Sequence, residues 1–487
     1  MLSLEQYYKS FKSYDIRGIW EQEIDADLWY YLGKWLGEYI TWQTWWQSTI
    51  LIAADTRANN TQLINNTLLW LSQSGLTQFV SAGMAFENYP HGICSTAMTY
   101  SFWFETCDYY IVFSASHNTS EYIGIKIVTK ENKFIPTNTL KELFTQAREK
   151  YSNGWFEPME TKEALELYKN NNILEASKKK ISDLLDRYFG QLTRHHSFAI
   201  DYGHGAAVAY EQQYINTLKT KTQKITTSDL FITPDGSFPA HETDTSRFIN
   251  YKLLAQEVRK QWLDFGFIFD GDADRLGIVL NNGTVMTGDI LTAIVTKQAL
   301  TNGMADEFWS QKIFYEVFSS KVVKETAEKF WWTGTMVRVG RWAFCEQVIA
   351  ERGLIAGECS AHILFGPYWY CEIPLLALAL ILKESEEFES FDAMAAYYMS
   401  TYKSQVYHFG IADKDGLMKH IDESYPALQK SYVDGVRIDG EWFWFTVRKS
   451  GTEDIVKVAG EADNREQFDT EREKLKKLIV EYGGHEE

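Results

Sequence analysis

Short apolar runs that stop at a polar loop recur along this chain. Clear examples are Thr49–Ala54, which ends at Asp55, Tyr109–Phe113, which ends at Ser114, and Phe265–Phe269, which ends at Asp270. They alternate with longer segments of helical period, a pattern typical of α/β units that contain parallel strands. Ligands bind beyond the carboxyl ends of strands in such sheets. We therefore expect the functional residues in these polar loops.

The length of 487 residues exceeds what one hydrophobic core usually serves, since domains commonly hold roughly 100 to 200 residues. Polar, helix-forming stretches near 145–185 and 383–395 suggest two domain joins, and strand patterning restarts at Phe265. We predict four domains, at residues 1–150, 151–256, 257–383 and 384–487.

The formal net charge is −18, which disfavours binding to nucleic acid or to an anionic membrane. No basic stretch followed by an apolar run opens the chain, and its longest apolar segment is far shorter than the ~18 residues that cross a bilayer. The five cysteines form no CxxC pair, so neither a zinc site nor a redox motif is indicated. These features predict a soluble, cytoplasmic protein with reduced thiols.

An acidic loop, Asp270-Gly271-Asp272-Ala273-Asp274-Arg275, follows one of the apolar runs. Carboxylates this close repel one another by about 4 kcal/mol per pair at ~4 Å and an effective dielectric near 20. A hard cation compensates such repulsion, and Mg²⁺ fits best. An EF-hand calcium loop would need Gly at its sixth and Glu at its twelfth position, where this chain has Arg275 and Asn281. A solvated acidic turn is the alternative.

A second loop, Ser114-Ala115-Ser116-His117-Asn118, is followed by Gly124 and Lys126. It places a hydroxyl, an imidazole and an ammonium near one strand end. A serine exchanges a phosphoryl group only where a cation neutralises charge and a nearby group handles the proton. A loop that merely hydrogen-bonds its own backbone is the alternative.

Two segments in the second half of the chain carry groups suited to a sugar phosphate. Arg448-Lys449-Ser450-Gly451-Thr452-Glu453 combines an Arg fork, two hydroxyls and a glycine, and could cradle a phosphate or form a hairpin turn. Glu358, Ser360 and His362 alternate, which would direct them to one side of an extended chain, as in a sugar site or a surface strand.

Near the N-terminus, Tyr14-Asp15-Ile16-Arg17-Gly18 offers Arg17 to an anion, although a surface arginine is the alternative. The five segments, in this order and at these intervals, resemble the motifs of the α-D-phosphohexomutase superfamily. The resemblance extends from Tyr14 to about Glu461, nearly the whole chain.

The resemblance implies a four-domain, heart-shaped α/β enzyme with three similar α/β domains and a smaller C-terminal lid. It implies a phosphoserine at Ser116, with a serine oxygen and three aspartates binding Mg²⁺: Asp270, Asp272 and Asp274. Proton transfer would fall to Lys126 or His117, and stabilisation of the moving phosphoryl group to Arg17 and Arg275. Substrate-binding residues would be Glu358, Ser360, His362, Arg341, Arg448, Ser450, Gly451 and Thr452.

The implied activity is phosphoryl exchange on a hexose phosphate, with a hexose 1,6-bisphosphate as intermediate and activator, in a monomer or homodimer. Ala361 gives a Ser-Ala-His sequence that resembles the phosphomannomutases of the superfamily and favours mannose phosphates. Mutases for glucose or glucosamine phosphates are alternatives, and so is a sugar-phosphate-binding paralogue without turnover. The departures that motivate the paralogue are Thr119, Arg341 and Asp454.

Overall fold

The structure, a computed structural model, describes residues 2–12, 15–43, 48–76, 78–101, 107–131, 133–151, 159–168, 172–306, 308–450 and 453–486. The chain forms two compact units. Residues 1–286 and 371–386 make the first unit, and residues 287–370 and 387–487 make the second. No helix in the described part of the chain is long and apolar enough to cross a membrane.

The first unit contains two five-stranded mixed sheets and a small hairpin. Its strands are β1 (Ile16–Ile19), β2 (Thr49–Ala54), β3 (Gln78–Ser81), β4 (Met84–Phe86), β5 (Tyr89–Ile93), β6 (Tyr109–Phe113), β7 (Tyr122–Thr129), β8 (His196–Asp201), β9 (Ile225–Leu230), β10 (Phe265–Phe269), β11 (Leu276–Leu280) and β12 (Val285–Met286). A two-residue strand, Cys371–Glu372, also belongs to this unit.

The described helices of the first unit cover the sheets. They are α1 (Leu4–Ser10), α2 (Ala26–Gln43), α3 (Asn60–Gln73), α4 (Thr96–Ser101), α5 (Thr137–Tyr151), α6 (Thr161–Glu166), α7 (Asn172–Phe189), α8 (Tyr210–Lys221), α9 (Lys252–Gln261) and a later helix, Pro374–Ser385.

The two large sheets of the first unit follow the same plan. Their strand orders are β1-β7-β6-β2-β3 and β12-β11-β10-β8-β9. In each sheet the inner strands pair in parallel. The strand that follows the Ser116 loop, β7, runs antiparallel to β6, and the strand that follows the acidic loop, β11, runs antiparallel to β10. All five residues of β6 and all five of β10 are buried, as expected for strands covered on both faces.

The acidic loop lies on the second sheet of the first unit. We expected a domain to begin at residue 257, with this loop inside it. Instead β10 pairs in parallel with β8, from Phe265 opposite Phe198 to Ile268 opposite Asp201. Because α9 is a crossover within one sheet, renewed strand patterning at Phe265 marks the next strand of that sheet.

The second unit holds a third mixed sheet and an antiparallel sheet. The third sheet contains β13 (Lys312–Glu316), β14 (Thr333–Val337), β15 (Ile355–Gly357) and β16 (Ile363–Phe365), with β13 parallel to β14 and β15 and β15 antiparallel to β16. Its described helices are α10 (Gly288–Thr301), α11 (Lys321–Lys329), α12 (Arg341–Ala350) and α13 (Phe391–Tyr398).

The antiparallel sheet is C-terminal. Its strands are β17 (Tyr402–Lys403), β18 (Tyr407–Gly410), β19 (Gln429–Ser431), β20 (Val436–Asp439), β21 (Phe443–Lys449), β22 (Ile455–Ala462) and β23 (His485–Glu486). Two helices, α14 (Lys414–Ser424) and α15 (Arg465–Glu481), complete this region. The expectation of three similar α/β domains and a smaller C-terminal domain is confirmed.

Candidate active site

The Ser116 loop begins where β6 ends and is held in a conformation that L-residues rarely adopt. Ser116 has φ +54° and is buried, and its backbone N–H donates to Ser114 Oγ at 2.8 Å. Its Oγ donates to Asp270 Oδ2 at 3.3 Å and lies 3.4 Å from His117 Nδ1. The strained backbone thus directs the hydroxyl at the acidic loop.

The acidic loop is a tight turn between β10 and β11. Asp270 Oδ1 accepts the backbone N–H groups of Asp274 and Arg275, both at 3.1 Å. A Cβ at position 271 would stand 2.6 Å from the Ser116 carbonyl oxygen, so this close approach of the two loops requires glycine. The backbones of the acidic loop and the Ser116 loop therefore pack directly against each other.

The three aspartates of the loop are buried together, and one ligand oxygen of each lies within 4.8 Å of the others. Burial raises the pKa of Asp270 well above its usual range, and the neighbouring Asp274 and Asp272 carboxylates add to the rise. Burial and Asp274 also oppose ionisation of Asp272, but the hydrogen-bonded Lys126 ammonium together with Arg17 lowers its pKa. Full ionisation of the three carboxylates is therefore unfavourable unless further positive charge is present.

A divalent cation fits this arrangement. Asp272 Oδ2 accepts bonds from Lys126 and from Thr96 Oγ1, whereas its buried Oδ1 has no hydrogen-bond donor among the described residues. An unsatisfied carboxylate oxygen beside two more carboxylates is the oxygen-only donor set that Mg²⁺ prefers. The solvated acidic turn is excluded, because all three side chains are buried.

Cationic side chains contact the Ser116 loop and the acidic loop. Lys126, on β7, donates to Asp272 Oδ2 at 2.7 Å and to Asp274 Oδ2 at 3.3 Å. Arg17, on β1, pairs with Asp15 and donates from Nη1 to the Ala115 carbonyl and to Asn118 Oδ1, each at 3.3 Å. Arg17 is thus buried in the site rather than exposed on the surface.

Arg275 bridges the two loops. Its Nη2 donates to His117 Nδ1 at 2.8 Å, and its Nε lies 3.7 Å from Asp270 Oδ2. The Arg275 charge, followed by burial and Arg17, lowers the pKa of His117 to about 2. His117 is therefore a neutral acceptor at physiological pH, which makes it a poor acid or base there.

The Glu358, Ser360 and His362 segment forms the tip of a hairpin in the second unit. The Glu358 N–H donates to the His362 carbonyl at 3.0 Å, and Ser360 Oγ donates to Glu358 Oε2 at 3.2 Å. The expectation of an extended chain is wrong here, because Ala361 has φ +70° and reverses the chain between β15 and β16. The turn still brings the Glu358 and Ser360 side chains within hydrogen-bonding distance.

The segment of residues 448–453 begins in the last two residues of β21 in the C-terminal sheet. Arg448 Nε donates to Asp434 Oδ2 at 2.6 Å, which fixes the guanidinium. Lys414 Nζ lies 3.4 Å from Asp454 and donates to the Glu453 carbonyl, so the unusual carboxylate at 454 has a neighbouring cation. Gly451 and Thr452 lie outside the described residues, as does the side chain of Arg341.

Sequence reasoning missed two polar residues that hold the loops in place. Thr96, at the start of α4, donates through both its N–H and its Oγ1 to Asp272. Arg57, just beyond β2, is 1% exposed and donates to the backbone of the Ser116 loop. The only local signal for Arg57 was its place in a polar loop after an apolar run.

Four family models match the chain, together covering most of it. They are the phosphoglucomutase/phosphomannomutase alpha/beta/alpha domains I (residues 8–153), II (184–283) and III (287–401) and the C-terminal domain of the same family (412–478).

Relatives agree with these matches. The chain is 32% identical to the phosphomannomutase of Methanocaldococcus jannaschii, covering 96% of this chain and 97% of that one. It is 26% identical to the phosphoglucosamine/phosphogalactosamine mutase of Sulfurisphaera tokodaii, covering 97% and 99%. A crystal structure of a phosphoglucomutase/phosphomannomutase family protein from Burkholderia thailandensis has the same fold, with a TM-score of 0.80 at 19% identity over the whole of both chains. The chain belongs to the phosphoglucomutase/phosphomannomutase family.

Proposed function

We propose that the protein interconverts mannose 6-phosphate and mannose 1-phosphate through a phosphoserine at Ser116. The observation that carries the proposal is the Ser116 Oγ, which lies 3.3 Å from Asp270 in a loop whose three buried carboxylates suit a divalent cation. A hydroxyl beside a cation site and a cluster of Arg and Lys side chains is what phosphoryl exchange requires.

In the first transfer, the bond between phosphorus and Ser116 Oγ breaks as a bond forms to the free hydroxyl of the sugar phosphate. The product is a hexose 1,6-bisphosphate. The proton lost by the sugar hydroxyl ends on the serine oxygen, and Lys126 is the better candidate to relay it because His117 stays neutral and weakly basic. The second transfer runs in reverse with the other phosphate and regenerates phosphoserine.

Charge neutralisation comes from several groups of this chain. We propose that Arg17 and Arg275 hold the transferring phosphoryl oxygens, because both guanidinium groups reach the Ser116 loop. Further positive charge would come from Mg²⁺ held by Asp270, Asp272 and Asp274 with a serine phosphate oxygen.

We propose that Glu358, Ser360 and His362 bind sugar hydroxyls. The phosphate that is not reacting would be held by Arg341, Arg448, Ser450, Gly451 and Thr452. Mannose is favoured over glucosamine by the Ser-Ala-His sequence at residues 360–362 and by the 32% identity to a phosphomannomutase.

Mass spectrometry and a mutase assay test the proposal together. Purified protein should carry phosphate on the Ser116 peptide. It should also convert mannose 1-phosphate with Mg²⁺ and a hexose 1,6-bisphosphate activator, with kcat/KM higher than for glucose or glucosamine 1-phosphate. Ser116→Ala should lose both phosphate and turnover, whereas the exposed control Ser120→Ala should keep both.

Two outcomes would contradict this function. Full turnover in Ser116→Ala would exclude the phosphoserine mechanism. Thermal stabilisation by hexose phosphates without turnover of any of them would instead support a sugar-phosphate-binding protein.

A further inference from the structure

Arg57 occupies the centre of the Ser116 loop although no motif singles it out. It follows β2 and donates to Asp55 Oδ2 from Nε at 3.2 Å. Its two Nη groups donate to four backbone carbonyls of one loop: Ser116 at 3.1 Å and Asn118, Thr119 and Tyr122 at 2.6 Å each. A guanidinium has five N–H donors, so this geometry uses the whole group.

The Ser116 loop needs such support because its conformation is unfavourable. A non-glycine residue in the left-handed region costs on the order of 1–3 kcal/mol, and it persists only where surrounding contacts hold it. Ser116 is at φ +54°, and its own carbonyl is one of the Arg57 acceptors. Arg57 also binds the Thr119 carbonyl in the same loop.

A second loop packs on Arg57. The segment Pro234-Asp235-Gly236-Ser237-Phe238-Pro239 approaches it so closely that a Cβ on Gly236 would stand 2.1 Å from the Thr56 carbonyl oxygen and 2.6 Å from Arg57 Cα. The Phe238 ring lies 5.2 Å from the Arg57 guanidinium carbon, within cation–π distance. Gly236 N–H donates to Tyr89 Oη at 3.3 Å.

We propose that Arg57 is the positioning residue of the Ser116 loop and that residues 234–239, by packing against Arg57, hold its side chain in place. By binding four carbonyls of residues 116–122, Arg57 holds Ser116 in the strained conformation that directs Oγ at Asp270. This inference rests on the proposed function, since it assigns Arg57 a part in phosphoryl transfer through Ser116. Arg57 itself does not touch the reacting atoms.

Arg57→Lys is the most direct variant. It keeps a cation beside the buried Asp55 but offers three donors on a single point instead of a planar fork. Positional errors of about 1 Å in a catalytic group lower rates by as much as about 10²-fold. We expect kcat to fall about 10²-fold with KM changed less than about threefold, while Mg²⁺ still raises the melting temperature as in the wild type, because the three aspartates are untouched.

A second readout does not depend on turnover. Hydrogen exchange of the backbone amides of residues 114–122 should become at least about tenfold faster in Arg57→Lys. Phe238→Leu, which removes the ring over the guanidinium and leaves Arg57 in place, should cause the same change to a smaller degree. Arg437→Lys is the matched control: Arg437 is also buried and donates to a backbone carbonyl, Val317, but it lies in the second unit.

The outcomes separate the inference from the function on which it rests. Wild-type protein without turnover on any hexose phosphate would refute the proposed function, and the exchange rates of residues 114–122 would still report whether Arg57 orders the loop. An active wild type with unchanged kcat and unchanged exchange in Arg57→Lys would overturn the positioning role. A loss of kcat that Arg437→Lys shares equally would also overturn it.

Discussion

Lys126 Nζ lies 2.7 Å from Asp272 Oδ2. The ammonium therefore partly neutralises the carboxylate cluster that we assign to a cation. Lys126 is thus proposed to affect both proton transfer and metal affinity, and the two effects can be measured separately.

Replacing Lys126 by methionine should lower kcat by about 10²- to 10⁴-fold, the usual contribution of a positioned proton donor or acceptor. The same change should tighten Mg²⁺ binding several-fold, because it removes a cation next to Asp272. Steady-state kinetics and a Mg²⁺ titration measure the two effects. Lys126→Arg, which keeps the charge, should bind Mg²⁺ nearly as the wild type does and remain slow, and full kcat in either variant would contradict the assignment.

The three buried carboxylates should make the metal-free protein less stable than a neutralised variant. Asp270→Asn keeps the Oδ1 that accepts the N–H groups of Asp274 and Arg275 and removes one negative charge. We expect its melting temperature in EDTA to exceed that of the wild type by a few degrees, because less like charge is buried.

Added Mg²⁺ should reduce or reverse this difference in melting temperature between Asp270→Asn and the wild type. It should raise the melting temperature of the wild type and have little effect on Asp270→Asn, since binding to the folded state stabilises it by mass action. The exposed control Glu131→Gln should behave as the wild type. An equal Mg²⁺ shift in all three would place the cation elsewhere.

Glu211 should make stability fall as pH rises through neutrality. Its carboxyl is buried, Ser95 donates to Oε1 at 2.6 Å, and Oε2 has no hydrogen-bond partner among the described residues. Burial raises its pKa to about 7, and the bond from Ser95 opposes this rise only in part. Because the folded pKa is the higher one, the unfolded chain ionises first, and stability is lost between about pH 4.5 and 7.

Ionisation of Glu211 should lower the free energy of unfolding by about 3 kcal/mol, at roughly 1.4 kcal/mol per pKa unit. Glu211→Gln removes the ionisation, so its melting temperature relative to the wild type should be a few degrees higher at pH 8 than at pH 5. Calorimetry at both values measures the difference, with the exposed Glu163→Gln as control. An equal difference in melting temperature between Glu211→Gln and the wild type at both pH values would show that the pKa of Glu211 is not raised.

Two exposed tryptophans occupy helix ends that favour glycine. Trp262 (φ +56°) and Trp331 (φ +63°) follow α9 and α11, and each is 92% exposed. The next N–H reaches back into the helix, from Leu263 to Val258 and from Trp332 to Ala327, as in a Schellman motif. The corresponding residue after α3 is Gly75 at φ +90°.

Trp262→Gly and Trp331→Gly should each stabilise the protein by about 0.5–1 kcal/mol, because glycine adopts positive φ without strain and little packing is lost. Thermal melting of the single and double variants measures the gain. Trp309→Gly, at an exposed position without positive φ, should not be stabilising, and a lower melting temperature in both test variants would show that the indole contacts outweigh backbone strain.

Local sequence was a good guide to the loops and a poor one to their partners. The apolar runs before Ser114 and Asp270 are strands, because a buried strand needs apolar side chains on both faces. The turn at residues 358–362 was misjudged, since alternating polar residues suit both a strand and a hairpin tip, and the positive φ at Ala361 selects the latter. The boundary near residue 256 was misplaced because a new strand pattern does not tell which sheet the strand joins.

The order and spacing of the five motifs were enough to identify the family and to predict Ser116, Lys126 and the three aspartates as site residues, since the chemical groups that phosphoryl exchange needs can be read from residue types. The roles of Arg57, Thr96 and Gly236 became visible only in the folded chain. Each acts through contacts with backbone or carboxylate groups 59 to 180 positions away in the chain, and no local pattern records a distance between segments that folding brings together.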